Sequence, residues 1–100
     1  MNAMIKSAGY MIQDVQGIAI YGIGTTADEA WAQVVNGVGT FFDANGDDIT
    51  AEEARETQFE TYGASAALIA KVKADGGAGF AWRVVDGVAC TVIEEENAIG

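Results

Sequence analysis

Hydrophobic positions along the chain change period several times, and each change marks an element. Residues 10–14 and 18–23 read as two strands joined through Val15, Gln16 and Gly17, the second of them β-branched and aromatic. The second run, Ile18-Ala19-Ile20-Tyr21-Gly22-Ile23, is apolar on both faces and stops at Gly24. Beyond it Ala27, Ala30, Trp31, Val34 and Val35 recur at helical spacing. Thr26-Ala27-Asp28-Glu29 opens this helix as a capping box, with the Thr26 hydroxyl set to accept from the Glu29 amide and Glu29 able to reach back. Gly37 stands where a C-cap glycine is expected.

Residues 38–42 lead into Asp43-Ala44-Asn45-Gly46-Asp47-Asp48, a dense turn signal. Thr50-Ala51-Glu52-Glu53 is a second capping box, opening a short helix over 51–57 whose apolar stripe is only Ala51 and Ala54. Residues 58–62 read as extended, with Phe59 pointing inward. Ser65 caps a third helix over 66–74 that buries Leu68, Ile69 and Val72 and ends at Gly76-Gly77. The clearest hairpin is the run 80–85, the turn Asp86-Gly87, and the run 88–93. Glu94-Glu95-Glu96 is expected to end the sheet and lead into a mobile tail.

Hairpins at both ends with two to three helices between them (ββα(α)αββ) predict an α+β domain with an antiparallel sheet. The 100 residues make one domain, 1–100, and half of them are hydrophobic, enough for a core without metals or disulfides. Several strands are apolar on both sides, whereas helices in small α+β domains usually cover one sheet face. A homodimer is the simplest cover for the second face, and helices split across both faces would also serve.

Charge alters this picture. Fifteen acidic residues face five basic ones, with no histidine, for a net charge of −10. Residues 43–60 hold Asp43, Asp47, Asp48, Glu52, Glu53, Glu56 and Glu60 against Arg55 alone, a net −6, and residues 94–100 form an acidic tail of −3. Such a chain repels nucleic acid and anionic membranes and attracts basic surfaces. A charge run is ordinarily a solvated face that keeps a small protein soluble. The functional reading is imitation of a nucleic-acid backbone. A helix carrying Glu52, Glu56 and Glu60 would set carboxylates roughly 6 Å apart along one side. Glu53 would lie beside them, and Asp43, Asp47 and Asp48 would extend the row.

Other chemistry finds less support. Asp43, Asn45 and Asp47 occupy the first, third and fifth ligand positions of a loop that resembles an EF-hand or dockerin calcium loop, and Glu53 could close a shortened version. Asp48 stands where that loop needs glycine, and Ala54 where it needs glutamate. Cys90 lies mid-strand with no histidine to activate it, and reads as a buried structural thiol. Trp31 and Trp82 read as core. Gly22-Ile23-Gly24 lacks the third glycine and the basic neighbour of a phosphate loop. With no histidine and one cysteine, the usual zinc arrangements are excluded. The exposed carboxylates have no apolar pocket to separate their pKa values for acid/base catalysis. An enzyme is therefore not expected, and no cofactor is implied. No apolar run approaches the ~18 residues of a membrane span, and no signal segment is evident, so a cytoplasmic location is expected.

The segments Tyr21-Gly22-Ile23-Gly24-Thr25-Thr26-Ala27-Asp28-Glu29-Ala30-Trp31 and Asp86-Gly87-Val88-Ala89-Cys90-Thr91-Val92-Ile93-Glu94-Glu95-Glu96 resemble short proteins of proteobacterial phages and plasmids. That resemblance implies a small inhibitor of host defence, of the anti-CRISPR type that imitates DNA. The expected partner is a basic, nucleic-acid-binding protein, with no direct nucleic-acid contact and no membrane. A calcium module at 43–53 and an accessory subunit with a solubilising acidic face are the alternatives.

Overall fold

Two antiparallel hairpins frame the chain, and a strand from its middle joins them. The structure is a computed structural model that describes residues 5–75 and 81–99. Strands β1 (Gly9–Asp14) and β2 (Ile20–Gly24) form the N-terminal hairpin. Following them in the chain are helix α1 (Ala27–Val38), a two-stranded hairpin of β3 (Phe41–Phe42) and β4 (Asp48–Ile49), helix α2 (Ala51–Thr57), strand β5 (Phe59–Ala64) and helix α3 (Ala66–Asp75). Strands β6 (Trp82–Val85) and β7 (Val88–Thr91) and helix α4 (Val92–Ile99) complete it.

The α+β class with a hairpin at each end is the one expected. The five-stranded sheet runs β2-β1-β5-β7-β6, and every pairing is antiparallel except β5–β7, which is parallel through Gly63–Val88 and Ala64–Ala89. Direction explains the exception. The returning strand β7, not β6, turns toward β5, and had β6 done so the seam would be antiparallel. Asp86 and Gly87 both take positive φ (53° and 80°), the conformation that a two-residue hairpin turn needs.

Adjacent residues of β1 enter different cores, as strand alternation requires. Met11 packs with Ile23, Ala64, Ala89 and the Leu68 and Val72 of α3. Ile12 packs with Ala30, Trp31 and Val34 of α1, Ala54 of α2 and Phe41. Full burial of Met11, Ile12, Val34 and Leu68 contributes about 1.5–3 kcal/mol for each side chain. The chain's own helices therefore cover both faces, and the reason for expecting a dimeric partner on one face falls away. Gly22 is what lets α1 come so close, since a Cβ there would collide with the Ala30 carbonyl oxygen. At Gly24 a Cβ would meet the Glu29 Cβ at 2.7 Å. These glycines serve packing.

Three boundaries differ from expectation. Helix α1 runs through Gly37 and stops at Gly39, whose φ of 81° suits glycine and whose amide donates to the Val35 carbonyl. A glycine inside a helix costs only ~1 kcal/mol, so Gly37 does not end it. The turn at 43–48 sits in the β3–β4 hairpin, paired Phe41–Ile49 and Phe42–Asp48. Third, the last strand ends at Thr91, because its pairing with β6 ends at Trp82, and Val92 and Ile93 begin a helix instead. Phe80 and the Gly76-Gly77 stop lie outside the described residues.

The acidic tail is thus α4, and its cap is a full capping box. The Glu94 amide donates to Thr91 Oγ1 at 3.1 Å and the Thr91 amide donates to Glu94 Oε1 at 2.9 Å. The same Glu94 oxygen accepts from the Ser65 hydroxyl at 2.6 Å, while Ser65 Oγ accepts from the Leu68 amide to cap α3. One carboxylate ties two helix starts together. Glu95 meets Arg83 at 3.4 Å. Cys90 is fully buried beside them, and its thiol pKa is raised by that burial first and by the Glu94 and Glu95 charges next, with Arg83 opposing.

Glu94→Ala removes the acceptor from two donors and should lower the unfolding free energy by about 1–3 kcal/mol in urea denaturation. Exposed Glu96→Ala should change it by no more than ~0.5 kcal/mol. Equal effects would show that the Glu94 contacts contribute nothing. Because the Cys90 thiol is held above its ordinary range, its contribution to stability is complete below pH ~8.5 and is lost as pH rises further. Cys90→Ala should flatten that alkaline limb of the stability profile.

Candidate functional site

The acidic segment folds into two short elements seated on an aromatic floor. Trp31 stacks on Phe41 at 5.6 Å between ring centroids. Phe59 meets Trp31 edge-on at 5.5 Å and Phe41 at 6.0 Å. Above this floor lie the β3–β4 hairpin and α2, the latter anchored through buried Ala54. The Gln58 side chain donates to the Phe42 carbonyl at 2.7 Å and ties the end of α2 back to the hairpin. Ala54 faces in, so Glu52, Glu53 and Glu56 face out, and all three are exposed. Thr50 caps the helix, accepting from the Glu53 amide at 3.1 Å. Glu52 and Glu53 lie in the first turn, where the helix dipole favours them.

The seven expected site residues do not act alike. Asp43 is half-buried, and its Oδ1 accepts from the Asn45 amide at 2.8 Å and the Asp47 amide at 3.0 Å. It builds the turn, helped by the positive φ of Gly46. Asp47 and Asp48 are exposed beside it. Glu60 leaves the row altogether. Helix α2 ends at Thr57, and the chain is drawn into β5 by the pairings Asp14–Phe59 and Gln13–Glu60. Alternation puts Glu60 on the opposite sheet face with Tyr62, so the expected 52/56/60 stripe is broken after Glu56.

On that other face lies a polar contact that sequence spacing could not reveal. Trp82 Nε1 donates to Gln13 Oε1 at 3.0 Å, across 69 positions, and Gln13 Nε2 reaches Glu60 Oε1 at 3.5 Å. Burial raises the Tyr62 phenol pKa, with the Glu60 charge and a hydrogen bond to Glu60 acting in the same direction. Trp31 is buried and Trp82 half-buried, each packed against a core.

Arg55, the cation within the acidic segment, turns away from it. Its guanidinium bonds Asp28 of α1 at 3.2 Å and lies 5.6 Å from the Trp31 ring. Asp47, Asp48, Glu52, Glu53 and Glu56 are therefore left as five exposed carboxylates on consecutive elements. They do not form a metal cage. Among the described residues no three Asp, Glu, Cys or His side chains come together to hold an ion. The calcium reading of Asp43, Asn45, Asp47 and Glu53 thus finds no assembled site, because Asp43 is turned onto backbone amides and Glu53 lies on the helix surface. Among the described residues no helix is long and apolar enough to cross a membrane.

Asp43→Ala should lower stability by about 1 kcal/mol through loss of its two amide bonds. Millimolar calcium should leave the unfolding midpoint of the unaltered protein unchanged. A calcium-dependent rise that Asp43→Ala abolishes would restore the ligand-loop reading.

Comparison with protein-family models, with curated proteins and with solved structures gives no match.

Proposed function

We propose that the chain is a non-enzymatic binding protein whose β3–β4/α2 lobe occupies a basic, nucleic-acid-binding surface of a partner protein. The observation that carries this reading is the set of five exposed carboxylates, Asp47, Asp48, Glu52, Glu53 and Glu56, with Arg55 committed to Asp28. Helix α2, with seven residues, is about 10 Å long, a length over which duplex DNA presents on the order of six phosphates. The helix itself carries three of the five carboxylates, and the hairpin beside it adds Asp47 and Asp48.

The floor beneath them matters as much as the charges. Packed aromatic rings and the Gln58–Phe42 bond hold the acidic elements in place before any partner arrives, so little ordering remains for binding to bear. Glu52 and Glu56, one helical turn apart, repel by ~0.2–0.5 kcal/mol, and a lysine- or arginine-lined groove would relieve that repulsion. Association driven this way is fast and weakens with salt. It competes with the groove's own nucleic acid, which is the inhibitory mode proposed here.

The test is capture of a partner from host cells on the immobilised protein, followed by release with added nucleic acid or salt. Combined Glu52→Lys, Glu53→Lys and Glu56→Lys changes should abolish capture while leaving the circular dichroism spectrum unchanged. Glu96→Lys, away from the lobe in sequence and fold, should retain it. Capture that survives the triple reversal, or that ignores nucleic acid, would overturn the reading and leave the lobe a solubilising face.

A further inference from the structure

The sheet ends at β2, and that edge is chemically unlike the acidic lobe. Residues 15–27 carry no charge on a chain whose net charge is −10. Strand β2 pairs with β1 on one side only. Its outer edge borders an open cleft of about 330 Å³ whose walls are Gln33 of α1 and Val72 and Lys73 of α3, with Ile20, Tyr21 and Ile23 along the strand.

The Ile23 amide faces away from β1 and donates to the Gln33 side-chain carbonyl at 3.0 Å. Gln33 thus stands where the carbonyl of a neighbouring strand would stand. At the irregularity between Ile12 and Gln13, Tyr21 has no partner on β1, and its side chain is 44% exposed. Ile18, just before the strand, is 71% exposed. Sheet edges are usually guarded by charge, proline or a bulge. Here the run 18–24 has neither proline nor charge, leaving the bulge and the Gln33 carboxamide as guards.

We propose that an extended, acidic peptide segment of a partner protein docks in this cleft as a sixth strand beside β2. Extended backbone supplies the carbonyl that an outward strand amide such as that of Ile23 needs. Its carbonyl replaces Gln33 on the Ile23 amide, an apolar side chain packs on Ile20 and Val72, and a carboxylate meets Lys73. Lys73 is exposed and forms no ion pair among the described residues. A second copy of this chain fits less well. Its own β2 edge would bring no carboxylate to Lys73. This surface is separate from the acidic lobe, and either proposal can fail without the other.

The probe is a blocked octapeptide of alternating threonine and valine with one central glutamate, titrated into the labelled full chain by amide NMR. Saturable shifts are expected at the Tyr21 and Ile23 amides and at the Gln33 side-chain amide. The same peptide with lysine in place of glutamate should bind more weakly by on the order of fivefold, the worth of one exposed charge pair, and Lys73→Glu should invert that order. Absence of saturable shifts at Tyr21 and Ile23, or indifference to the Lys73 reversal, overturns the proposal. The same shifts on concentrating the protein alone, with a doubled mass in sedimentation, would assign the edge to a second copy instead.

Discussion

Met11 and Ile12 are neighbours in the chain and sit in different cores, each with no exposed surface. That alternation makes the register of β1 the constraint on which the remaining structure depends, because a slip of one residue would exchange the two cores. β1 pairs along its length with β2 and β5. Opposite Ile12 is Gly22, the position whose missing side chain admits α1. With α1 seated, Trp31 can stack on Phe41 and receive Phe59, and those rings carry the acidic hairpin and α2. The arrangement of the surface carboxylates therefore traces back to two buried apolar side chains in the N-terminal hairpin.

The C-terminal half is joined by a different force. β5 and β7 share only two paired positions, a short seam for holding a hairpin to a sheet. Polar contacts across it compensate. Ser65 follows β5 directly and Thr91 ends β7, and Glu94 bonds both. The Trp82–Gln13 bond adds a second tie, from β6 to β1. These bonds are partly shielded from water, so they hold position more firmly than fully exposed ion pairs of the same length would.

Much of this was legible in the sequence where local chemistry decides. Thr26 and Thr50 cap helices because their hydroxyls accept from the Glu29 and Glu53 amides, although the Glu29 carboxylate reaches back to Thr25 and not to Thr26. The same pattern at Thr91 and Glu94 was hidden inside Val88-Ala89-Cys90-Thr91-Val92-Ile93, whose β-branched composition argues for strand throughout. Pairing length settled the competition, since β6 starts at Trp82 and leaves Val92 and Ile93 without partners. The candidate site was legible only in part. Helical spacing placed Glu52 and Glu56 together correctly, but Glu60 joins them only if the helix continues, and long-range pairing of β5 with β1 stops it. Local propensity carries no record of such pairing, nor of which strand of the last hairpin faces β5.

Sorting the carboxylates by what they bond changes the meaning of a net charge of −10. Asp14 accepts from the Ile18 and Ala19 amides, Asp43 from Asn45 and Asp47, Glu29 from the Thr25 hydroxyl, and Glu94 from Ser65 and Thr91. These build turns and caps. Asp28 and Glu95 hold arginines. Their charge still contributes to the field at a distance, but at least one oxygen of each is engaged within the fold. Asp47, Asp48, Glu52, Glu53 and Glu56 carry no such duty toward the core through their side chains. Their mutual repulsion is a cost that the fold tolerates because the aromatic floor is stable enough to bear a few tenths of a kcal/mol for each close pair. A surface kept only for solubility could spread its charges to avoid that repulsion. Their concentration on one lobe, with Arg55 paired to Asp28, is what supports the proposal that this lobe meets a basic partner.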